Sequence, residues 1–241
     1  MSSTMSPVHP PVRALEALRA LGRLLRDPDR TEDAFAVVRL VDAGGIDRLF
    51  ARFRQSSEGR ALLRERPSLL AALSDTAGLA AMPEGSLGRT YLAFCEREGI
   101  TPGGLVEAST SEERALLDED RLYVADRMRD SHDLWHVITG CRTDLAGELS
   151  VLAFSTAQTQ SLGVGLLALG GFLRSFTLPR ELGYQGRELV KAAVRSGRRA
   201  SWLPIARWEE LLPLPLDEVR RSLRVEPLPA YEPFYKEQLA A

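Results

Sequence analysis

The sequence predicts an all-α fold: a single-domain helical bundle with a metal site on a central helix hairpin. Three observations predict it. Apolar residues recur at helical spacing between Pro and Gly punctuation. Strand signals are sparse, since the alternation over Ser201–Trp208 is the one candidate and Pro204 demotes it. No strand–helix alternation occurs and no Gly-rich loop follows a strand, which argues against a doubly wound α/β fold.

The elements follow in order. Residues 1–11 are polar and Pro-rich and read as a flexible segment, and 12–241 as one helical domain with no internal repeat or low-complexity linker. Val12–Arg26 is an Arg-rich amphipathic helix with Leu15, Leu18, Leu21 and Leu25 at helical spacing; it reads as the first helix of the fold rather than a mitochondrial presequence. Thr31 starts a second helix with Glu32 and Asp33 in its first turn, where they complement the helix dipole. Gly44-Gly45 interrupts it, and Ile46, Leu49, Phe50 and Phe53 resume. Pro67 opens a short helix through Leu73. Gly85-Ser86 leads into Leu87–Glu98, where Leu87, Tyr91 and Phe94 share a face. Ser111, followed by Glu112 and Glu113, opens a long charged helix to about Thr139, with Gly140 as its C′ residue. Thr143 or Asp144 caps the next helix. Further helices are expected over Arg187–Ser196 and Leu216–Leu223.

Composition bounds the function. The 31 basic and 33 acidic side chains give −2, against a wholesale nucleic-acid binder. Two cysteines, Cys95 and Cys141, exclude a disulfide scaffold and a multi-cysteine zinc site, and fit a reducing compartment. No secretory signal is visible. From Leu149 to Leu173 no residue is charged, long enough to span a bilayer. Its first half is rich in Ser, Thr and Gln, so one buried helix, or one lining an apolar cavity, is expected instead. Gly163, Gly165, Gly170 and Gly171 in its second half point to close packing or to room for an apolar tail. Basic clusters at Arg13, Arg19, Arg23 and Arg26, and at Lys191, Arg195, Arg198 and Arg199, read as solvated faces or as attraction to anionic headgroups.

The chemistry concentrates in SHDLWH. His132 and His136, four residues apart, project from one helix face with Cβ atoms about 5–6 Å apart, so two imidazoles can reach one ion. Asp133 lies about 100° round from His132 but about 60° from His136, so it can lean toward the same ion. A short turn after Gly140 implies antiparallel helices, which brings Glu148 to the depth of His136, and Gly147 lets the backbones approach. Two nitrogens and two carboxylates suit zinc, iron, manganese or cobalt. Asp126, Arg127, Arg129 and Asp130 are candidates to orient the ligands. Trp135 reads as a packing residue and Cys141 as a core cysteine.

His132-Asp133-x-x-His136, eleven residues and Glu148 resemble the signature of the coenzyme Q biosynthesis protein 4 family. Blocks at 58–69, 82–94 and 196–225 are similar to that family too, so the resemblance covers about residues 15–228. Met128 stands where members usually have Tyr, and Cys141-Arg142 where they have Met-Pro. The resemblance implies an all-helical protein of the ubiquinone pathway. The implied activity is metal-dependent, oxidative removal of the C1 carboxylate from a polyprenylated 4-hydroxybenzoate-type intermediate, as a C–C lyase. The alternative is a non-catalytic, lipid-binding scaffold for a membrane-associated biosynthetic complex. A metallohydrolase is weaker, because Asp133 replaces the Glu that serves as base in H-E-x-x-H. The resemblance makes His132, Asp133, His136 and Glu148 both the metal ligands and the catalytic set, with zinc as the first metal. Implied partners are the polyprenylated acid, a membrane surface, other ubiquinone-biosynthesis proteins and a second copy of the chain. The expected location is peripheral, on the cytoplasmic face of a bacterial inner membrane, or the matrix side in a mitochondrion.

Overall fold

A computed structural model of the chain describes residues 10–27, 30–42, 44–104, 114 and 117–234. Among the described residues every regular element is helical, apart from one isolated bridge between Ser86 and Pro215. The first seven helices are α1 (Pro10–Arg26), α2 (Thr31–Val41), α3 (Gly45–Gln55), α4 (Ser57–Glu65), α5 (Leu69–Ser74), α6 (Thr76–Ala81) and α7 (Leu87–Glu98). Then come α8 (Glu119–Asp130), α9 (His132–Thr139), α10 (Leu145–Thr159) and α11 (Leu162–Arg174). The described residues close with α12 (Arg180–Arg199), α13 (Trp208–Leu211) and α14 (Leu216–Leu223), followed by a segment without regular structure to Phe234.

Capping chemistry sets several boundaries as expected. The Ser86 hydroxyl accepts from Arg89 N at 3.3 Å and starts α7, and left-handed Gly99 ends it. Asp144 accepts from Ala146 N at 3.1 Å and starts α10. Other boundaries depart from expectation. The expected helix from Ser111 begins outside the described residues, and its described part is two helices, not one. Ser131 breaks it: its hydroxyl donates back to the Met128 carbonyl at 3.1 Å, and the helix restarts at His132. The uncharged stretch Leu149–Leu173 is likewise split. Gln160 adopts a left-handed φ of 57°, and the Ser161 hydroxyl caps α11 by accepting from Val164 N. Pro67 does not open α5; Ser68 caps it, and the helix begins at Leu69. The helix expected over Arg187–Ser196 is the longer α12. The strand candidate Ser201–Trp208 is a 3-10 turn over Leu203–Ile205, with Pro204 inside it, that runs on to α13.

The α10 helix is central, packed between α12 and α11, and α11 lies in turn on α2 and α1. The main core joins Leu134, Trp135 and Ile138 of α9 with Phe154 of α10, Leu87 and Tyr91 of α7, and Trp208. A second cluster, Ala20, Leu21, Val37 and Leu167, ties α1 and α2 to α11. Buried Asp33 joins α1 to α2 by pairing with Arg23 and Arg30, whose hydrogen bonds hold its carboxyl down at about 2. Arg23 is therefore paired although half exposed, and it shares that one carboxylate with Arg30. A third cluster, Phe50, Phe53, Leu62 and Val124, joins α3, α4 and α8.

The first helix buries Ala17, Ala20 and Leu21, while Leu15 and Leu18, expected on the core face, are exposed. Small residues suffice here because α1 lies close to α11: a Cβ on Gly170 would stand 3.0 Å from Leu21. Gly163 permits a closer approach, since a Cβ there would fall 2.4 Å from Val38 Cα. No described helix is long and apolar enough to cross a membrane.

Candidate metal centre

The α9 helix sits among α7, α8, α10 and α14, and its ends are fixed from outside. Left-handed Gly140 closes its C-terminus, as the sequence predicts. Arg220 of α14 donates to the last carbonyls, Nε to Ile138 O at 2.9 Å and Nη2 to Val137 O at 3.2 Å. The turn to α10 is tight because residue 147 has no side chain: a Cβ there would lie 2.0 Å from the Arg142 carbonyl oxygen.

This hairpin brings His132, His136 and Glu148 together, with ligand atoms all within 4.8 Å of one another. The His132 and His136 ring centroids are 4.9 Å apart, and His136 Nε2 lies 3.5 Å from Glu148 Oε1. His136 is fully buried, with Phe94 of α7 stacked against its ring. Its Nδ1 is 3.1 Å from the Arg142 carbonyl. A carbonyl only accepts, so Nδ1 carries the hydrogen and Nε2 keeps its lone pair. That Nε2 is buried and has no hydrogen-bond partner. An unpartnered buried acceptor beside a second imidazole and a carboxylate is the state a divalent cation relieves.

Asp133, the remaining predicted ligand, stands outside the convergent group. Its Oδ1 accepts from His132 Nδ1 at 3.1 Å, which leaves His132 Nε2 as that ring's acceptor. Electrostatics follow the geometry. Burial pulls the His132 pKa down, but the Asp133 hydrogen bond and the charges of Glu148 and Asp133 raise it overall. Burial pushes Glu148 up, yet His136 and His132 bring it below the ordinary carboxylate range.

The neighbouring expectations resolve one by one. Trp135 packs edge-on against Phe154 in the core. Cys141 is a buried core thiol that burial pushes up to about 12. Arg127, a candidate to orient the ligands, is directed elsewhere, to Glu209 and to the Ala206 carbonyl. Arg129 pairs with Asp126 and Asp130.

Sequence reasoning missed three participants: the Arg142 carbonyl, Tyr231 and Glu98. Glu98 was detectable, because it continues the stripe Leu87, Tyr91, Phe94 at the next helical step, and a carboxylate on a buried face calls for partners. A main-chain carbonyl and a tyrosine some ninety residues away leave no such mark.

The family described as "Coenzyme Q (ubiquinone) biosynthesis protein Coq4" matches residues 6–229. The chain belongs to this family. It is 31% identical over 228 residues to the ubiquinone biosynthesis protein COQ4 homolog, mitochondrial, of Danio rerio, covering 92% of this chain and 81% of that protein. The Mus musculus Coq4 homolog is 30% identical over 226 residues, covering 93% and 82%. A crystal structure of a Nostoc punctiforme protein shares the fold, with a TM-score of 0.65 at 21% identity over 86% of this chain and 96% of that one. Coq4 membership makes this a ubiquinone-biosynthesis protein, with an all-helical single domain.

Proposed function

We propose that the chain is a metal-dependent C1 decarboxylase of a polyprenylated 4-hydroxybenzoate-type intermediate, a C–C lyase of the simple or the oxidative kind. The convergence of His132, His136 and Glu148 around an unpartnered buried Nε2 carries the reading. His132, His136 and Glu148 would hold the ion, and Asp133, the fourth residue of the motif, would orient His132 from behind. This donor set suits zinc, the metal the resemblance favours, and also accepts iron, cobalt or manganese. When bound, such an ion supplies a fixed positive charge that stabilises negative charge on substrate oxygens.

The chain's own residues do the rest. Asp133 and the Arg142 carbonyl fix both imidazoles with Nδ1 as donor. Phe94 covers one face of the His136 ring, and partly exposed Glu148 would mark the side from which an aromatic acid approaches. The para oxygen of such a ring pushes electron density toward C1. Breaking the C1–carboxylate bond releases CO₂ and leaves the bonding pair on C1. A proton completes simple decarboxylation; a hydroxyl in its place requires an oxygen-donating oxidant from outside the chain.

Leu162, Leu169, Leu173 and Phe176, all exposed, support a peripheral position on a membrane, where polyprenyl tails reside. The proposed location is the cytoplasmic face of a bacterial inner membrane. The same face favours a second reading, a lipid-binding scaffold for other ubiquinone-biosynthesis proteins or a second copy of the chain. Release of labelled CO₂ from ring-carboxyl-labelled substrate separates the two. Wild type should release it, and folded His132→Ala and Glu148→Ala should not. Release by those variants at the wild-type rate refutes metal catalysis. No release by any of the three, with pathway partners still captured, favours the scaffold.

A further inference from the structure

The buried surroundings of the Arg142–Thr143 peptide hold a second device. The Arg142 carbonyl faces His136 Nδ1 at 3.1 Å. The N–H at the other end of the same peptide plane, that of Thr143, points to Glu98 Oε2 at 3.4 Å. The Thr143 hydroxyl donates to the same oxygen at 2.7 Å, and Arg142 Nε donates to Glu98 Oε1 at 3.0 Å. On the opposite flank the Arg142 N–H donates to the Tyr231 hydroxyl at 3.0 Å, and that hydroxyl donates to Asp144 Oδ2 at 2.5 Å. Asp144 also accepts from Phe234 N at 2.9 Å, so the C-terminal segment is stitched to the start of α10. The Glu98 side chain is 2% exposed, and Gly147 leaves the room in which carbonyl and phenol meet.

We infer that Glu98 and Tyr231 are positioning residues for the metal centre, holding the Arg142 carbonyl on His136 Nδ1 so that Nε2 stays the metal-facing nitrogen. The inference rests on the metal reading of the hairpin. Glu98 acts through the peptide: an N–H directed at a carboxylate draws electron density onto the carbonyl at its other end, which strengthens that oxygen as acceptor. A stronger acceptor fixes the tautomer and raises the basicity of Nε2. Tyr231 acts by geometry, because its hydroxyl fixes the amide that precedes this peptide. A proline at 142 has no N–H and could not be held in this way. Tyr231 lies just past the residues matched to the family.

The test uses Tyr231→Phe, Glu98→Gln and a control, Gln185→Ala. Gln185 anchors the same C-terminal segment by bonds to Glu232 but touches neither Arg142 nor Glu98 in the hydrogen-bond network. Imidazole nitrogen NMR of metal-free protein reads the His136 tautomer directly. Wild type and Gln185→Ala should show Nδ1–H, and both other variants should show a mixture with Nε2–H. Titration with Co²⁺ should then show affinity weakened roughly 10- to 100-fold, with shifted visible bands, in Tyr231→Phe and Glu98→Gln alone. Nε2–H in wild type, or an unchanged tautomer in Tyr231→Phe, overturns the inference whatever the cobalt result. So does a Gln185→Ala that matches Tyr231→Phe, since docking of the tail would then suffice. If Glu98→Gln fails to fold, Tyr231→Phe, which keeps the ring, decides. Absence of Co²⁺ binding in wild type, with the tautomer as expected, strikes the metal reading and leaves the positioning of His136 standing.

Discussion

In the hairpin of α9 and α10, polar side chains are buried. His136, Asp133, Thr139 and Asp144 are all below one-tenth exposed. On the outer face of α11, Leu162, Leu169 and Leu173 are each more than half exposed. Both arrangements run against the ordinary partition of residues. Burying polar groups requires partners for each, and among the described residues the hairpin supplies them for all but the Trp135 indole N–H, a donor held in the core, and the acceptor His136 Nε2. The exposed leucines have no such resolution among the described residues, and the proposed membrane contact would supply one. The difference teaches that one region fixes converging polar ligands in a buried setting, while the other leaves an apolar face open.

The largest effect should come from breaking the hairpin. Gly147→Ala puts a Cβ 2.0 Å from Arg142 O and 2.6 Å from the Tyr231 hydroxyl. It should cost about 2–3 kcal/mol in denaturant unfolding and abolish metal binding as the turn moves away. Gly163→Ala in α11, with its Cβ 2.4 Å from Val38 Cα, should cost similar stability yet leave metal binding intact. Equal metal loss in both would erase the distinction between the regions.

Acid sensitivity gives the next contrast. Burial would lift the Glu98 carboxyl, but hydrogen bonds from Arg97, Thr143 and Arg142 hold it at about 2. Its folded pKa is depressed, so its stabilisation is complete above the unfolded value of about 4.5 and is lost as pH falls toward 2. The stability gap between wild type and Glu98→Gln, about 3 kcal/mol at neutral pH, should close across that window. Asp33→Asn should close its own gap over a similar range, its carboxyl also being held at about 2, without touching His136. A gap for Glu98→Gln that is constant from pH 7 to pH 2.5 contradicts this.

The smallest effect on the fold should come from the apolar face. Leu169→Ser with Leu173→Ser should change unfolding free energy by less than about 1 kcal/mol, since both side chains are exposed. The pair should weaken binding to phosphatidylglycerol vesicles roughly tenfold or more. Unchanged vesicle binding removes α11 from the membrane account.

Much of this was legible in the sequence, and the exceptions have physical causes. Leu87–Glu98 and Leu216–Leu223 were readable to the residue because Ser86, Gly99 and Pro215 mark their ends. The i,i+4 spacing of His132 and His136, the Gly140 stop and the Asp144 cap predicted the hairpin and the position of Glu148. Periodicity could not reveal the breaks at Ser131 and Gln160. A one-residue break keeps the apolar pattern on both sides, and tertiary bonds add to the local serine contacts: the Gln158 side chain, for instance, bonds Gly197 O and Leu203 N. Leu15 and Leu18 read as core because an amphipathic pattern gives an apolar face without saying what covers it. Tyr231 was invisible because its role exists only where an extended tail crosses the turn.

The central claim is that His132, His136 and Glu148 hold one divalent ion. The direct measurement is metal content by mass spectrometry for wild type and His136→Ala, purified side by side without added metal and checked for native helicity. About one ion per chain is expected in wild type and well under a tenth of that in the variant, because a buried acceptor nitrogen of the proposed ligand set is the one removed. Equal metal content in the two proteins, or none in wild type even after incubation with zinc, would contradict the account.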